Sequence, residues 1–312
     1  MLKRLLHRPL ALALHTAWVL ILVGALVTHF WGESGMLSLR TGASSSTAVR
    51  SDGSTMQLPF TVTLQRFSVK TYPDGKTHRN YISRVRINNN EDVRIAMNHP
   101  HSRQGYSLLQ MTYDSDLGGS TLLVQHDPWG VGITFSGYWL LFATGACMLV
   151  RHGWRQRRNR TFWVCVGLSV LGASGYLIHK LGFAGAPLMP VLRSPFLIIH
   201  VSIIIAAYML MICMLFVRDR SLLLPAVLLL AAGIFIGAMW ANISWGRDWG
   251  WDPKETWALI TLIIYSVPLH ASSLRVFRRP RVYHTYVRLA FLSVIITYFG
   301  VNYLLGGLHS YA

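Results

Sequence analysis

The chain has 312 residues, of which 52% are hydrophobic and 13% charged, and this charged share is about half that of an ordinary soluble protein. Eleven Trp, thirteen Tyr and thirteen Phe exclude a disordered chain. Three cysteines without a C-x-x-C pair exclude a disulfide scaffold and a dithiol reductant. With a mean hydropathy of +0.38, the composition indicates an integral membrane protein.

Seven apolar stretches come close to the ~20 residues that a helix needs to cross a ~30 Å hydrocarbon core. They are Pro9–Phe30, Trp129–Val150, Thr161–Ile178, Phe196–Val217, Ser221–Asn242, Thr256–Ser273 and Arg288–Leu305. The first is interpreted as an uncleaved anchor, because its apolar run exceeds that of a signal peptide and no small-residue cleavage site follows it.

The lysines and arginines, which give a net charge of +17, are segregated along the chain. Fifteen of them flank one set of span ends with a single acid, Asp219, whereas the other side carries fourteen basic and eleven acidic residues. The positive-inside rule places the basic set in the cytoplasm, with the N-terminus inside and the C-terminus outside. The basic loops are therefore interpreted as topology signals and not as nucleic-acid sites.

Residues 31–128, between the first two spans, predict a small antiparallel β domain outside the membrane. Apolar and polar residues alternate through Phe60–Val69 and Tyr81–Ile87, and Tyr106–Tyr113 and Thr121–His126 are further candidate strands. Residues 41–55 are polar and predict a loop. The histidines of this domain are interpreted as surface or strand-edge residues: His78, His99, His101 and His126.

Five of the eleven tryptophans fall in the outside loop 240–257, which reads WANISWGRDWGWDPKETW. An interfacial aromatic belt would spread its rings over many helix ends, whereas this loop interleaves them with glycines and charged residues. Tryptophan offers a large stacking surface, glycine permits close approach, and Arg247 and Lys254 supply cations. The loop therefore favours a flat apolar ligand with carboxylates at its edge, which is the form of a porphyrin.

A porphyrin iron needs axial ligands, and histidine is a common one. His200 lies at the outer end of the fourth span, and His309 follows the seventh span on the same side. His15 lies about two turns into the first span, and His270 lies near the inner end of the sixth, so these two share a depth in the inner leaflet. His29 and His179 are outer-end residues of secondary interest.

The stretch WGRDWGWDPKETWALI (245–260) resembles the tryptophan-rich WWD motif of haem-handling membrane proteins, in particular the CcsA type of the System II cytochrome c synthases. Residues 190–208 and 301–312 resemble the segments that carry the two outside histidines of that family. The first 150 residues are similar to a ResB (CcsB) protein, through the stretches 28–42, 58–69 and 105–130. The resemblance covers nearly the whole chain as a fused CcsB–CcsA arrangement.

The predicted fold is thus mainly α, a polytopic membrane protein of about seven transmembrane helices with a small antiparallel β domain outside. We expect the first transmembrane helix in residues 1–30, the β domain in 31–128 and the second transmembrane helix in 129–150. Residues 151–312 form the CcsA-like domain, with five helices and the WWD loop 240–257. The resemblance implies a protein of the bacterial inner membrane with its active site facing the outside.

The resemblance further implies a holocytochrome c synthase (haem lyase) that binds haem b and joins it through thioethers to the C-x-x-C-H motif of apocytochrome c. No residue acts as a classical acid or base. The implied outside iron ligands are His200 and His309, the implied intramembrane ligands are His15 and His270, and the platform consists of Trp245, Trp249, Trp251, Asp252, Lys254, Glu255 and Trp257. Further implied partners are a thioredoxin-like thiol reductant, membrane lipid and another biogenesis subunit.

Three alternatives stay open from the sequence. The first is a haem carrier without ligase activity that delivers haem to a partner subunit. The second is a transporter of another flat hydrophobic molecule such as a quinone, which leaves the paired histidines unexplained. The third is a purely structural membrane subunit, against which the tryptophan loop argues.

Overall fold

The structure is a computed structural model that describes residues 8–182 and 189–305. Within these ranges the helices are α1 (Pro9–Trp31), α2 (Gly130–Arg155), α3 (Arg160–Gly182), α4 (Pro195–Phe216), α5 (Leu223–Trp245), α6 (Pro253–Ser266) and α7 (Pro280–Ile295). A π-helical segment, Ile296–Leu305, continues α7. Short 3-10 turns cover Pro190–Leu192, Arg220–Leu222, Val267–His270 and Arg275–Arg278.

Six helical segments of the described chain are long and apolar enough to cross a membrane. Together with the β domain they confirm the predicted fold class, a polytopic helical membrane protein. The last of these segments is Pro280–Val301, so it begins eight residues before the predicted Arg288. Pro280 at the first helical position sets this start, because proline needs no backbone N–H partner there.

The predicted span Thr256–Ser273 is shorter as a helix than its apolar pattern suggests. Helix α6 stops at Ser266, since Pro268 lacks a backbone N–H and disfavours helical geometry in the residue before it. A 3-10 turn then carries the chain to His270. At the rises of the two helix types, the fourteen and four residues together reach about 29 Å, close to the thickness of a hydrocarbon core.

The β domain is one eight-stranded antiparallel sheet in the order β5-β4-β3-β2-β1-β8-β7-β6. Its strands are β1 (Glu33–Arg40), β2 (Ser44–Val49), β3 (Thr55–Thr71), β4 (His78–Ile87), β5 (Glu91–Ala96), β6 (His101–Arg103), β7 (Tyr106–Tyr113) and β8 (Gly119–His126). Arg103 of β6 forms an ion pair with Glu91 of β5, so the two edge strands lie next to each other and the domain is barrel-like.

The predicted loop 41–55 is partly wrong, because β2 lies within it. This strand lacks an apolar alternation, and only Ala48 is fully buried. Its hydroxyls instead bond across to β3, with the Ser44 and Thr63 oxygens 2.8 Å apart. Cross-strand hydroxyl pairs of this kind stabilise a sheet without apolar side chains.

Helix α5 is the centre of the helical part. Of its most apolar 18-residue stretch, 72% of the residues are buried, against 17% for the corresponding stretch of α1. The outer face of α1 is apolar and exposed. Aromatic rings of α1 and α2 pack on α5 through Phe235, which lies 5.3 Å from the Trp18 ring and 5.0 Å from the Tyr138 ring. The helices on either side of the β domain therefore join the later helices in one core.

Candidate functional site

Two histidines from opposite ends of the chain lie side by side at the end of the helices away from the β domain. The ring centroids of His15, on α1, and His270, at the end of the turn after α6, are 6.2 Å apart with an interplanar angle of 87°. His15 is exposed and His270 is half-buried. The structure therefore brings together the two histidines that the sequence placed at one depth.

Each of these imidazoles is oriented by its own helix. The Nδ1 atom of His15 lies 2.6 Å from the carbonyl oxygen of Ala11, and that of His270 lies 3.1 Å from the carbonyl oxygen of Ser266. Only a protonated Nδ1 can donate to a carbonyl, so the Nε2 atom of each neutral ring carries the lone pair. Metal-binding histidines use this arrangement.

The separation of the two rings suits one metal ion between them. Metal–imidazole bonds are about 2 Å long and each ring centre lies about 1 Å behind its nitrogen, so facing imidazoles have centroids about 6 Å apart. A porphyrin supplies four nitrogens to its iron, so the protein need supply only one or two axial ligands. Two histidines are thus a sufficient ligand set for a haem, and the residues present fit this group.

His200 lies one turn after the start of α4, against α5. Its Nδ1 atom donates to the Gly233 carbonyl oxygen at 2.7 Å, which places the lone pair of a neutral ring on Nε2. Gly237, one turn further along α5, leaves room for the ring. The helix then continues to Trp240 and Trp245, so the same element carries the support of His200 and the start of the tryptophan loop. His309 lies outside the described residues.

Four of the five tryptophans of the loop form two edge-to-face pairs. The ring centroids of Trp240 and Trp245 are 4.8 Å apart, and those of Trp249 and Trp251 are 6.2 Å apart. Trp240 is buried, whereas Trp251 has 73% of its surface exposed. Trp251 also has a left-handed backbone with φ 54°, a rare conformation for a bulky residue. An exposed aromatic residue with a strained backbone is typical of a ligand-contacting position.

Two acids of the predicted platform start helix α6. The Asp252 carboxylate accepts from the Lys254 N–H at 3.0 Å, and the Glu255 carboxylate accepts from the N–H groups of Gly250 at 2.8 Å and Asp252 at 3.3 Å. This is a capping box with Pro253 at the first helical position. The Asp252 and Glu255 carboxylates therefore hold the backbone of the loop in place. The D-x-x-E spacing before an apolar run is the sequence signal for it.

The side chains of Arg247, Lys254 and Trp257 lie outside this capping box. Arg247 is exposed and its guanidinium folds beside Gly250, whereas Lys254 is half-buried in the first turn of α6. The carbonyl oxygen of Trp257 accepts from the Thr297 hydroxyl at 3.2 Å. Helix α6 is thereby fixed to the π-helical segment that precedes His309 in the chain.

Sequence reasoning missed two β-domain residues that contact this region. The amide nitrogen of Gln125 donates to the Gly246 carbonyl, and the amide of Asn98 lies between the start of α4 and the end of α5. Both contacts join residues that are distant along the chain. No local pattern could have indicated them.

Two family models match different regions of the chain. A family model described as ResB-like matches residues 3–134, and one described as Cytochrome C assembly protein matches residues 219–309. The protein NrfI of Wolinella succinogenes is 37% identical over 153 residues, which cover 40% of this chain and 17% of the relative. The cytochrome c biogenesis protein CcsA of Gloeobacter violaceus is 53% identical over 85 residues, covering 27% of the chain and 24% of the relative.

A third relative, CcsA of Prochlorococcus marinus, is 28% identical over 234 residues, which cover 55% of this chain and 73% of the relative. The chain thus spans less than a quarter of the length of the first two relatives. The two family regions lie in the order expected of a ResB part followed by a CcsA part. One polypeptide thus carries a region similar to ResB-like proteins, residues 3–134, and a region similar to cytochrome c assembly proteins, residues 219–309.

Proposed function

We propose that this protein takes part in cytochrome c maturation as a haem-handling synthase of the cytoplasmic membrane. Haem b is its substrate, bound outside by His200 and His309 on the tryptophan loop, with His15 and His270 as the inner pair. The observation that carries the proposal is the juxtaposition of His15 and His270 at 6.2 Å, each with its Nδ1 directed at a helix carbonyl.

The two parts of the chain both contribute to the inner pair. His15 belongs to the ResB-like region and His270 to the cytochrome c assembly region. The structural role of such a shared pair would be to hold the two regions in register. Because each ring is already held in the tautomer that leaves Nε2 unprotonated, little reorganisation would accompany ligation.

The loop residues would act by positioning. Asp252 and Glu255 hold the backbone of residues 250–255, which presents the exposed Trp251 ring outward. In the proposed reaction each thiol of a C-x-x-C-H segment adds across a haem vinyl group. A sulfur–carbon bond forms, and the thiol proton ends on the neighbouring vinyl carbon. Orientation of two reacting groups can contribute about 7–11 kcal/mol to such a step.

The proposed reaction requires reduced thiols. Cys147, Cys165 and Cys213 are the cysteines of the chain, and all lie within helices α2, α3 and α4. A thioredoxin-like reductant is therefore proposed as a partner, beside apocytochrome c, membrane lipid and a further biogenesis subunit. The outside face of the membrane is the proposed location of the reaction.

The test is the spectrum of the purified full chain in mild detergent, with a pyridine haemochrome assay. We expect a Soret band and sharp low-spin bands that weaken in His200→Ala and in His309→Ala, and separately in His15→Ala and His270→Ala. His78→Ala, on β4 of the β domain, is the matched control and should keep the full spectrum. A colourless wild type from haem-supplemented cells would overturn the proposal.

Co-expression with a C-x-x-C-H reporter separates ligase from carrier. Covalent haem on the reporter, lost in His309→Ala, is the expected result. A haem-loaded protein that yields no covalent haem would favour the carrier that delivers haem to a partner subunit.

A further inference from the structure

The turn between β5 and β6 of the β domain reaches the helical part through one side chain, that of Asn98. Its Nδ2 atom lies 3.2 Å from the carbonyl oxygen of Pro190, 3.1 Å from that of Val191 and 3.4 Å from that of Arg193. Its Oδ1 atom accepts from the Ser244 hydroxyl at 2.6 Å. One amide therefore holds two segments that are about fifty residues apart in sequence.

These two segments frame the proposed outside haem site. Residues 190–193 lead into α4, and His200 lies in the second turn of that helix. Ser244 is buried in the last turn of α5, directly before Trp245 and Gly246, where the tryptophan loop begins. A shift of either segment would change the spacing between His200 and the loop.

Two further residues of the β domain contact the same segments. The Arg193 guanidinium lies 5.5 Å from the centre of the Tyr72 ring, which is a cation–π contact. The Gln125 amide, from strand β8, donates to the Gly246 carbonyl. Since Tyr72 directly follows strand β3 and Gln125 lies in strand β8 of the same sheet, one sheet contacts both segments.

The chemistry of the Asn98 position favours asparagine. Asn98 has a left-handed backbone with φ 59°, which asparagine and glycine tolerate better than most residues. Its amide both donates to carbonyls and accepts from a hydroxyl. An aspartate could still accept from Ser244, but it would direct a carboxylate at three carbonyl oxygens.

We propose that Asn98 is a positioning residue that sets the spacing between His200 and the tryptophan loop, so that the β domain tunes the outside haem site. This inference rests on the proposed function of that site. Residues that orient metal ligands typically change affinity by about 10–100-fold when they are removed.

The experiment uses Asn98→Gly in the full chain, because glycine keeps the left-handed backbone and removes only the amide. We expect a loss of haem affinity of about tenfold and a shift of the outside haem toward high-spin bands, with a melting temperature close to that of the wild type. Asn98→Asp should be affected at least as strongly. Asn89→Gly is the matched control, since Asn89 has a similar φ of 61° and is exposed in another turn.

A double-mutant comparison identifies the contact. Asn98→Gly combined with Ser244→Ala should be no worse than the more affected single variant, because both remove the same hydrogen bond. Fully additive effects, or an Asn98→Gly protein with the haem affinity and spectrum of the wild type, would overturn the inference while leaving the haem site itself intact.

Hydrogen exchange of the haem-free protein tests the positioning directly. In Asn98→Gly we expect faster exchange at residues 190–200 and 244–252 and unchanged exchange in α2. Unchanged exchange in both segments would overturn the inference. A colourless wild type with faster exchange in Asn98→Gly would instead contradict the proposed function, and the hold of Asn98 on the two segments would stand.

Discussion

Gly237 is the residue that makes room for the His200 imidazole on α5. A Cβ atom at this position would lie 2.7 Å from both Cε1 and Nδ1 of that ring, closer than side chains pack. The same ring donates to Gly233, one turn earlier on α5. Because Gly237 has no side chain, the His200 imidazole can lie against α5 at this position.

Gly237→Ala should displace His200 although the histidine stays in the sequence. We expect the outside haem to weaken as in His200→Ala, and the protein to lose about 1–3 kcal/mol through overpacking. Haem titration followed by absorption, together with thermal melts in detergent, would measure both. Gly175→Ala on α3 is the control, because a Cβ there meets nothing within 4 Å. A Gly237→Ala protein with wild-type haem affinity would show that the ring has freedom to move.

Asp248, in the tryptophan loop, is a mostly buried acid. Its Oδ1 atom has no hydrogen-bond partner, and Asn242 donates to the carboxyl group. Burial, with a smaller contribution from the nearby Asp127, raises the pKa of Asp248 to about 7. The folded protein thus holds this proton more tightly than the unfolded chain.

The raised pKa of Asp248 predicts a loop that loosens with rising pH. The protonated Asp248 carboxyl stabilises the folded protein fully below its ordinary pKa of 3.8, and this stabilisation is lost as the pH rises through about 7. Holding the carboxylate there costs on the order of 4 kcal/mol at alkaline pH. Asp248→Asn should therefore raise the melting temperature at pH 8.5 and change it little at pH 5.5. Equal effects at both pH values would assign the change to packing and not to titration.

At the residue scale, the sequence predicts which histidines lie together better than it predicts the residues that support them. His15 and His270 could be paired in advance, because span order and helical rise give each a depth. The supports of His200, namely Gly233 and Gly237, could not be predicted, since their role exists only where α4 crosses α5. The capping role of Asp252 and Glu255 was readable from spacing, but the charge of these residues favoured a ligand-contacting interpretation.

Helices α1 and α2 form an element pair that depends on small residues. A Cβ at Gly137 would lie 2.9 Å from the backbone nitrogen of Ile21 and 3.0 Å from the Ala17 carbonyl oxygen. A Cβ at Gly24 would likewise collide with the backbone of Thr134. Close backbone approach at small residues is a common way for membrane helices to associate. This contact holds α1, and with it His15, against the rest of the core.

Gly137→Ala should separate α1 from α2. We expect a loss of about 1–3 kcal/mol in stability and a weaker inner haem, because His15 moves with α1. Thermal melts and the His15-dependent part of the haem spectrum would measure these effects. Gly132→Ala on the same helix is the matched control, since a Cβ there meets nothing within 4 Å and alanine favours helix. If both variants behave alike, close packing at Gly137 does not position α1.

At the element scale, hydropathy and alternation predicted most of the fold. The apolar runs gave the long helices, and the alternating stretches fell within β3, β4, β7 and β8. Strand β2 was missed, because its cross-strand hydroxyl bonds leave no apolar pattern. The end of α6 was missed because a single proline, Pro268, outweighs an otherwise continuous apolar run.

At the scale of the whole molecule, the β domain and the tryptophan loop lie at one end of the helices. Asn98 and Gln125 contact the ends of α4 and α5 at which this loop begins. The turns at the other end, between α2 and α3 and between α4 and α5, meet through the Asn159 amide, which donates to Asp219 at 2.8 Å. That end carries most of the arginines, including Arg158 and Arg220.

The charge asymmetry predicts that the β domain lies outside the cytoplasm. In a variant without the native cysteines, Ser51→Cys in the β2–β3 turn should react with a membrane-impermeant maleimide in intact cells. Arg158→Cys, in the turn between α2 and α3, should react only after the membrane is disrupted. Both positions are exposed, so a difference in labelling reports the side of the membrane and not burial. The reverse pattern would place the tryptophan loop in the cytoplasm, where the proposed attachment of haem to an exported apocytochrome could not occur.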